Sequence, residues 1–173
     1  MANTNNIFPI EMIKINSIPS GWKLLISILI CQLTGIISGM LSDVGNNAWF
    51  DSLNKPTWNP PDFIFGPVWA FLYLLNGVAL WLIWKSSVQE PRKKNAEWLF
   101  ATQLFLNFWW SILFFKFHSP ALAFIDIVLM ILLILITIFK FASISKPAAW
   151  LLVPYISWVC FAAILNYTIY SIN

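Results

Sequence analysis

Few side chains in this 173-residue chain are equipped for chemistry, and tryptophan dominates them with eleven copies. One histidine, His118, and two cysteines, Cys31 and Cys160, are the conventional ligating or nucleophilic types. No H-x-x-x-H, C-x-x-C or glycine-rich phosphate loop accompanies them, so a metal, nucleotide or haem-iron site has nothing to be built from. Two thiols in separate apolar stretches make no disulfide framework either. What remains is indole N–H groups, a few amides and one carboxylate, Asp126, inside an apolar stretch. Those groups stack on flat apolar surfaces and hydrogen-bond a polar edge, which is the chemistry of binding. No nucleophile triad or acid–base pair is present.

The densest such segment is Asn54–Trp69, N-K-P-T-W-N-P-P-D-F-I-F-G-P-V-W. Proline has a fixed φ and no N–H, so Pro60 and Pro61 suit the first turn of a helix and not its middle. A rigid, aromatic segment at the mouth of an apolar helix implies a shaped lid, residues 43–62, over a buried cavity.

The elements that position these residues are membrane helices. Sixty per cent of the chain is hydrophobic and 10% charged, against about a quarter charged in soluble domains. A helix needs about 20 apolar residues to cross a bilayer core. Five blocks qualify, at about 22–41, 63–84, 98–117, 120–141 and 148–170. The expected fold is therefore all-α: a single five-transmembrane-helix bundle over residues 21–173, preceded by a flexible tail, residues 1–20. The first span is too long for a signal-peptide core, although Ile37-Ser38-Gly39 loosely resembles a cleavage site.

Charge sets the expected topology. Lys14, Lys23, Lys85, Arg92, Lys93, Lys94, Lys140 and Lys146 flank one side, and only Lys55 and Lys116 the other, where Asp43, Asp51 and Asp62 also lie. The N-terminus and the basic loop Gln89–Glu97 are thus expected in the cytoplasm and the C-terminus outside. Topology accounts for that charge run without any nucleic-acid partner.

Trp22, Trp84, Trp98 and Trp150 fall at span ends and fit an interfacial aromatic belt. Trp58, Trp69, Trp109, Trp110 and Trp158 lie in the lid or within spans, where an indole N–H needs a partner or a ligand. Helical spacing groups Phe65, Trp69 and Tyr73 on one face of span two, with Asn76 next. Gln103, Asn107 and Trp110 form a stripe on span three, and Pro154, Trp158, Ala162 and Asn166 one on span five. Turned inward, these faces build an aromatic cleft in the outer half of the bilayer, with Asp126 at similar depth. The plainer alternatives are interhelical hydrogen bonds for Gln103, Asn107 and Asp126, and simple kinks at Pro67 and Pro154. Gly35 and Gly39 form a G-x-x-x-G that brings either two protomers together or span one against its own bundle.

From about Trp22 to Asn173 the chain resembles the tryptophan-rich sensory protein/translocator protein family (TspO/MBR). The resemblance rests on Trp49-Phe50, Leu53-Asn54-Lys55-Pro56, Trp58-Asn59-Pro60-Pro61, Phe65, Pro67-Val68-Trp69 and Tyr73. It continues with Gln103, Asn107 and Trp110, then Val153-Pro154-Tyr155, Trp158, Leu165-Asn166 and Tyr167. It implies a five-helix bundle, often a homodimer, that binds porphyrins such as protoporphyrin and other flat hydrophobic ligands beneath the first loop. Ligand contact is implied for positions matching Trp69, Asn107 and Trp158. Light-dependent porphyrin breakdown in some bacterial members implicates tryptophans like Trp69 and Trp158, which would then be the catalytic pair. The family's sterol motif is incomplete here: Leu165 and Tyr167 are present, but residues 168–173 hold no Lys or Arg.

Three functions follow as expectations. The leading one is a tetrapyrrole-binding membrane sensor or regulator, with Trp58, Phe65, Trp69, Tyr73, Gln103, Asn107, Trp110, Asp126 and Trp158 around the ligand and no metal or cofactor of its own. The others are a light-dependent porphyrin-degrading enzyme and, ranked below it, a porphyrin transporter using Asp126. The expected location is a bacterial cytoplasmic membrane.

Overall fold

The computed structural model describes residues 19–173. Most of the expected tail, Met1–Ile18, and Lys14 with it, lies outside the described residues.

Proline marks almost every helix start. α1 (Ser20–Leu41) follows Pro19, α3 (Asp62–Lys85) follows Pro61, and α4 (Glu90–Ser111), α5 (Pro120–Ala142), α6 (Lys146–Leu151) and α7 (Val153–Ile172) each carry proline in the first turn. The first turn's N–H groups have no intrahelical acceptor, so proline's missing donor does no harm there. The short α2 (Ala48–Ser52) is capped instead by Asn47, whose Oδ1 accepts from Phe50 N at 3.0 Å.

Three boundaries differ from the sequence expectation. α4 begins at Glu90, so the basic run Arg92–Lys94 forms helix rather than loop. Its far end passes into a π-helical turn, Ile112–Lys116, closed by Phe117 N on Ile112 O at 2.9 Å. The fifth span is two pieces, α6 and α7, joined at Leu152. Pro154 therefore sits at a helix start, whereas Pro67 lies inside α3.

Five helical segments are long and apolar enough to cross a membrane: Ser20–Leu41, Asp62–Lys85, Glu90–Lys116, Pro120–Ala142 and Lys146–Ile172. Among the described residues there is no strand. Neighbouring packing runs α1, α3, α7, α5, α4 and back to α1. Small residues permit the close approaches, as expected where lipid supplies no hydrophobic drive for helix association. A Cβ at Gly77 of α3 would lie 2.6 Å from Ile28 Cα of α1, and one at Gly35 of α1 would overlap the Tyr73 ring. Gly35 thus packs α1 within its own bundle, while nothing crowds Gly39.

The core has three levels. Phe100 stacks on Phe141 near the basic end, Tyr155, Met130 and Ile127 fill the middle, and Phe114, Ala123 and Ile169 lie under the loops. Outward faces stay apolar, with Leu29, Leu129 and Phe139 exposed.

Candidate functional site: an aromatic cavity beneath the first loop

The loop Ser42–Pro61 lies over the end of the bundle where α1, α4 and α7 finish, and polar contacts hold it down. Asn47 Nδ2 donates to Phe115 O at 3.0 Å, tying the α2 cap to the π-helical turn. Asn54 N donates to Asn173 Oδ1 at 2.9 Å, and Asn173 Nδ2 returns a bond to Asn54 O at 3.0 Å. Trp49 stacks on His118 with ring centroids 4.5 Å apart and 17° between planes. The histidine is thereby part of the lid's support, at φ 51° in the turn after the π-helical segment.

Beneath the loop is a cavity of about 340 Å³. Aromatic rings wall it: Phe65, Trp69 and Tyr73 from α3, Trp110 from α4, Phe114 from the π-helical turn and Trp158 from α7. Trp69 stacks on Tyr73 at 5.6 Å, Phe65 meets Trp158 edge-on at 5.9 Å, and Trp110 stacks on Phe114 at 5.6 Å. These pairs orient one another, so the walls are held before any ligand arrives.

The polar groups are specifically arranged. Tyr73 Oη donates to Asn107 Oδ1, which leaves Asn107 Nδ2 buried without a partner among the described residues. Trp158 Nε1 is likewise buried and unpartnered. Trp110 Nε1, by contrast, donates to Asn166 Oδ1 at 3.1 Å, and Asn166 Nδ2 donates to Pro120 O at 2.8 Å. Two cavity-lining residues thus each carry a buried N–H that is unpaired among the described residues.

Of the nine residues expected at the ligand, Phe65, Trp69, Tyr73, Asn107, Trp110 and Trp158 come together on this wall. Trp58, Gln103 and Asp126 do not line it. Trp58 is half exposed and packs edge-on to Phe161 at 6.0 Å. Gln103 lies deeper, its Oε1 accepting from Tyr155 Oη at 2.9 Å. Asp126 is buried on α5, with Oδ2 lacking a partner among the described residues. Trp109, grouped by depth with the inner tryptophans, is exposed on the outer surface of the bundle.

The α1 wall, with Gly35, Ile36 and Gly39, was not among the expected site residues, nor was Phe114. The G-x-x-x-G pattern signalled the first, whereas the π-helical turn that carries Phe114 left no mark in the sequence. Ile36 of α1 and Gly66 and Ala70 of α3 are both cavity-lining and exposed, so the cavity opens between these two helices. Below that mouth Gln32 Nε2 of α1 donates to Ala70 O at 2.9 Å.

Residues 27–171 match the model of the TspO/MBR family. The chain belongs to that family. It is 40% identical to the tryptophan-rich protein TspO of Chlorobaculum tepidum over 144 residues, 83% of this chain and 91% of the relative. Identity to the TspO of Archaeoglobus fulgidus is 36% over 151 residues, 87% of this chain and 97% of that one. The translocator protein of Ovis aries is 39% identical over 126 residues, 72% of this chain and 75% of the relative. Family membership and five apolar spans together make this TspO/MBR chain an integral membrane protein.

Among the described residues, no group of three His, Cys, Asp or Glu side chains is placed to hold a metal ion. The TspO/MBR cavity is walled mainly by aromatic rings, with Asn107 and Trp158 among its lining residues.

Proposed function

We propose that the protein binds porphyrins and similar flat hydrophobic ligands in this cavity and acts as a sensor or regulator of tetrapyrrole or stress metabolism. The observation that carries the reading is the pair of buried, unpartnered donors, Asn107 Nδ2 and Trp158 Nε1, on an aromatic wall. A buried donor without a partner costs about 1–3 kcal/mol, which a ligand acceptor recovers on binding. A porphyrin carries flat apolar faces and acceptor-bearing carboxylates on one edge, which matches that division. At about 340 Å³ the cavity is small for a ligand site, where about 300–1,000 Å³ is usual. A tetrapyrrole therefore extends through the mouth between α1 and α3, or lifts the loop.

Positive charge supports an N-terminus in the cytoplasm: Lys23, Lys85, Arg92, Lys93, Lys94, Lys140 and Lys146 cluster opposite the loop end. The cavity then lies in the outer half of a cytoplasmic membrane.

The test is quenching of tryptophan fluorescence by protoporphyrin in the dark, for the native protein and for Trp158→Phe. Saturable quenching that weakens in the variant supports the reading. Linear quenching alike in both means the pigment only partitions into the micelle. Recognition without a metal ligand also requires metal-free porphyrin and haem to bind about equally.

Light-dependent degradation is a second reading, favoured by Trp69 and Trp158 both lining the cavity. Excited porphyrin in air supplies that chemistry itself. Equal bleaching rates in the native protein and in Trp69→Phe/Trp158→Phe, with binding retained, exclude a catalytic part for the indoles.

A further inference from the structure

A second cavity, about 620 Å³, lies at the opposite, basic end of the bundle. It is formed by the start of α1, the end of α3, the connection Ser86–Gln89 and the first turns of α4. Three lysines line it, Lys23, Lys85 and Lys93, against one carboxylate, the exposed Glu90. Lys23 is only 9% exposed and Lys93 only 6%. Their stems are packed against the protein, and their ammonium groups are left to find water, a counter-charge or hydrogen-bond acceptors.

Glu97, one turn along α4 from Lys93, interacts with the charges of Lys93 and Lys94 but does not line the cavity. Among the described residues the ion pairs are Lys55–Asp51 and Lys116–Asp43, both at the other end of the molecule. Lys93 Nζ donates to Trp84 O at 2.9 Å, satisfying one carbonyl of the last turn of α3. That cap accounts for one of its three N–H groups and for none of Lys23.

The serines of this cavity are turned the same way. Ser86 Oγ accepts from Val88 N at 3.2 Å, and Ser20 Oγ accepts from Trp81 Nε1 at 3.2 Å. A hydroxyl engaged as acceptor keeps its O–H to donate. The lining thus presents ammonium and hydroxyl donors from three helix ends to one space.

We propose that this cavity binds the phosphate group of an anionic ligand, held by Lys23, Lys85 and Lys93 with Ser20 and Ser86. Phosphate oxygens accept several such bonds at once, and charge-assisted bonds are the strong ones. The phosphate belongs either to an anionic lipid of the adjoining leaflet or to a free phosphate compound in the aqueous phase. Of the basic run Arg92–Lys94, only Lys93 lines it. Specific recognition and general charge are therefore separable.

The experiment is native mass spectrometry of the full chain in neutral detergent, titrated with phosphatidylglycerol or phosphatidylcholine, with and without inorganic phosphate. The variants are Lys23→Gln/Lys85→Gln, which spares the Lys93 cap, and Arg92→Gln/Lys94→Gln, which removes equal charge outside the cavity. Saturable retention of phosphatidylglycerol, about tenfold weaker in the cavity pair and nearly unchanged in the other, is the expected result. Displacement by inorganic phosphate identifies a free phosphate compound as the source, and resistance to it identifies the lipid. Equal weakening in both variants, equal retention of the two lipids, or no saturable binding overturns the proposal.

Discussion

The Tyr73 hydroxyl donates to Asn107 Oδ1, and this one bond between α3 and α4 decides which way the amide presents its donor. With Oδ1 occupied, Nδ2 is the group left unpaired on this cavity-lining residue. Gly35 of α1 lies against the same Tyr73 ring, so three helices meet in the positioning of one amide.

Tyr73→Phe keeps the ring and removes the donor. Because a buried acceptor is left unsatisfied, the loss of stability is about 1–3 kcal/mol. Asn107 is then free to rotate, and protoporphyrin affinity falls several-fold. Thermal unfolding in detergent and fluorescence titration read the two effects; an unchanged affinity means that Asn107 needs no such orientation.

Gly35→Ala and Gly39→Ala separate packing from simple helix propensity. An added methyl at position 35 overlaps the Tyr73 ring, whereas at position 39 nothing lies within 4 Å. Overpacking costs about 1–3 kcal/mol, so Gly35→Ala destabilises by that order. Gly39→Ala is neutral or raises stability by up to about 1 kcal/mol, since alanine is the better helix former. Equal melting temperatures for the two variants contradict the placement of α1.

Asn173→Ala removes the reciprocal bonds that hold Asn54 of the loop. These bonds are exposed, so global stability changes by less than about 1 kcal/mol. Release of bound protoporphyrin, measured by stopped-flow dilution, quickens several-fold as the loop loosens. An unaltered rate places the ligand's exit elsewhere.

Asp126→Asn distinguishes binding from proton-coupled transport. Asp126 does not line the cavity, so dark protoporphyrin affinity stays within about twofold, a fraction of a kcal/mol. Replacing a buried carboxylate that lacks a partner on Oδ2 raises stability. Protein-dependent vesicle uptake lost in this variant, with binding intact, favours transport instead.

Ala70→Trp tests the mouth between α1 and α3. An indole at this exposed, cavity-lining position obstructs entry, so the association rate of protoporphyrin falls while the melting temperature changes little. If the rate is unaffected, ligand enters by lifting the loop.

The bundle itself was legible in the sequence because a bilayer imposes length and apolarity on each span, and both are local properties. Pro61 was legible as a start signal for the same local reason, whereas Pro154, read from the sequence as a kink, begins α7. Periodicity also placed Phe65, Trp69 and Tyr73 on one face, since residues four apart on one helix share it.

Depth along a helix, however, says nothing about azimuth or about neighbours. Asp126 and Trp109 have the depth of cavity residues, yet one is buried against other helices and the other faces outward. Gln103 shares a stripe with Asn107 but lies lower, where Tyr155 claims its oxygen. The π-helical turn that brings Phe114 to the wall is one extra residue in a hydrogen-bonding pattern, and no residue type announces it. The sequence alone determined that five apolar helices exist and which faces carry aromatic and amide groups, because those are single-helix properties. Only the tertiary structure decided which faces meet, which polar atoms pair and which are left open, because these depend on helix order and rotation, set by contacts between residues far apart in the chain.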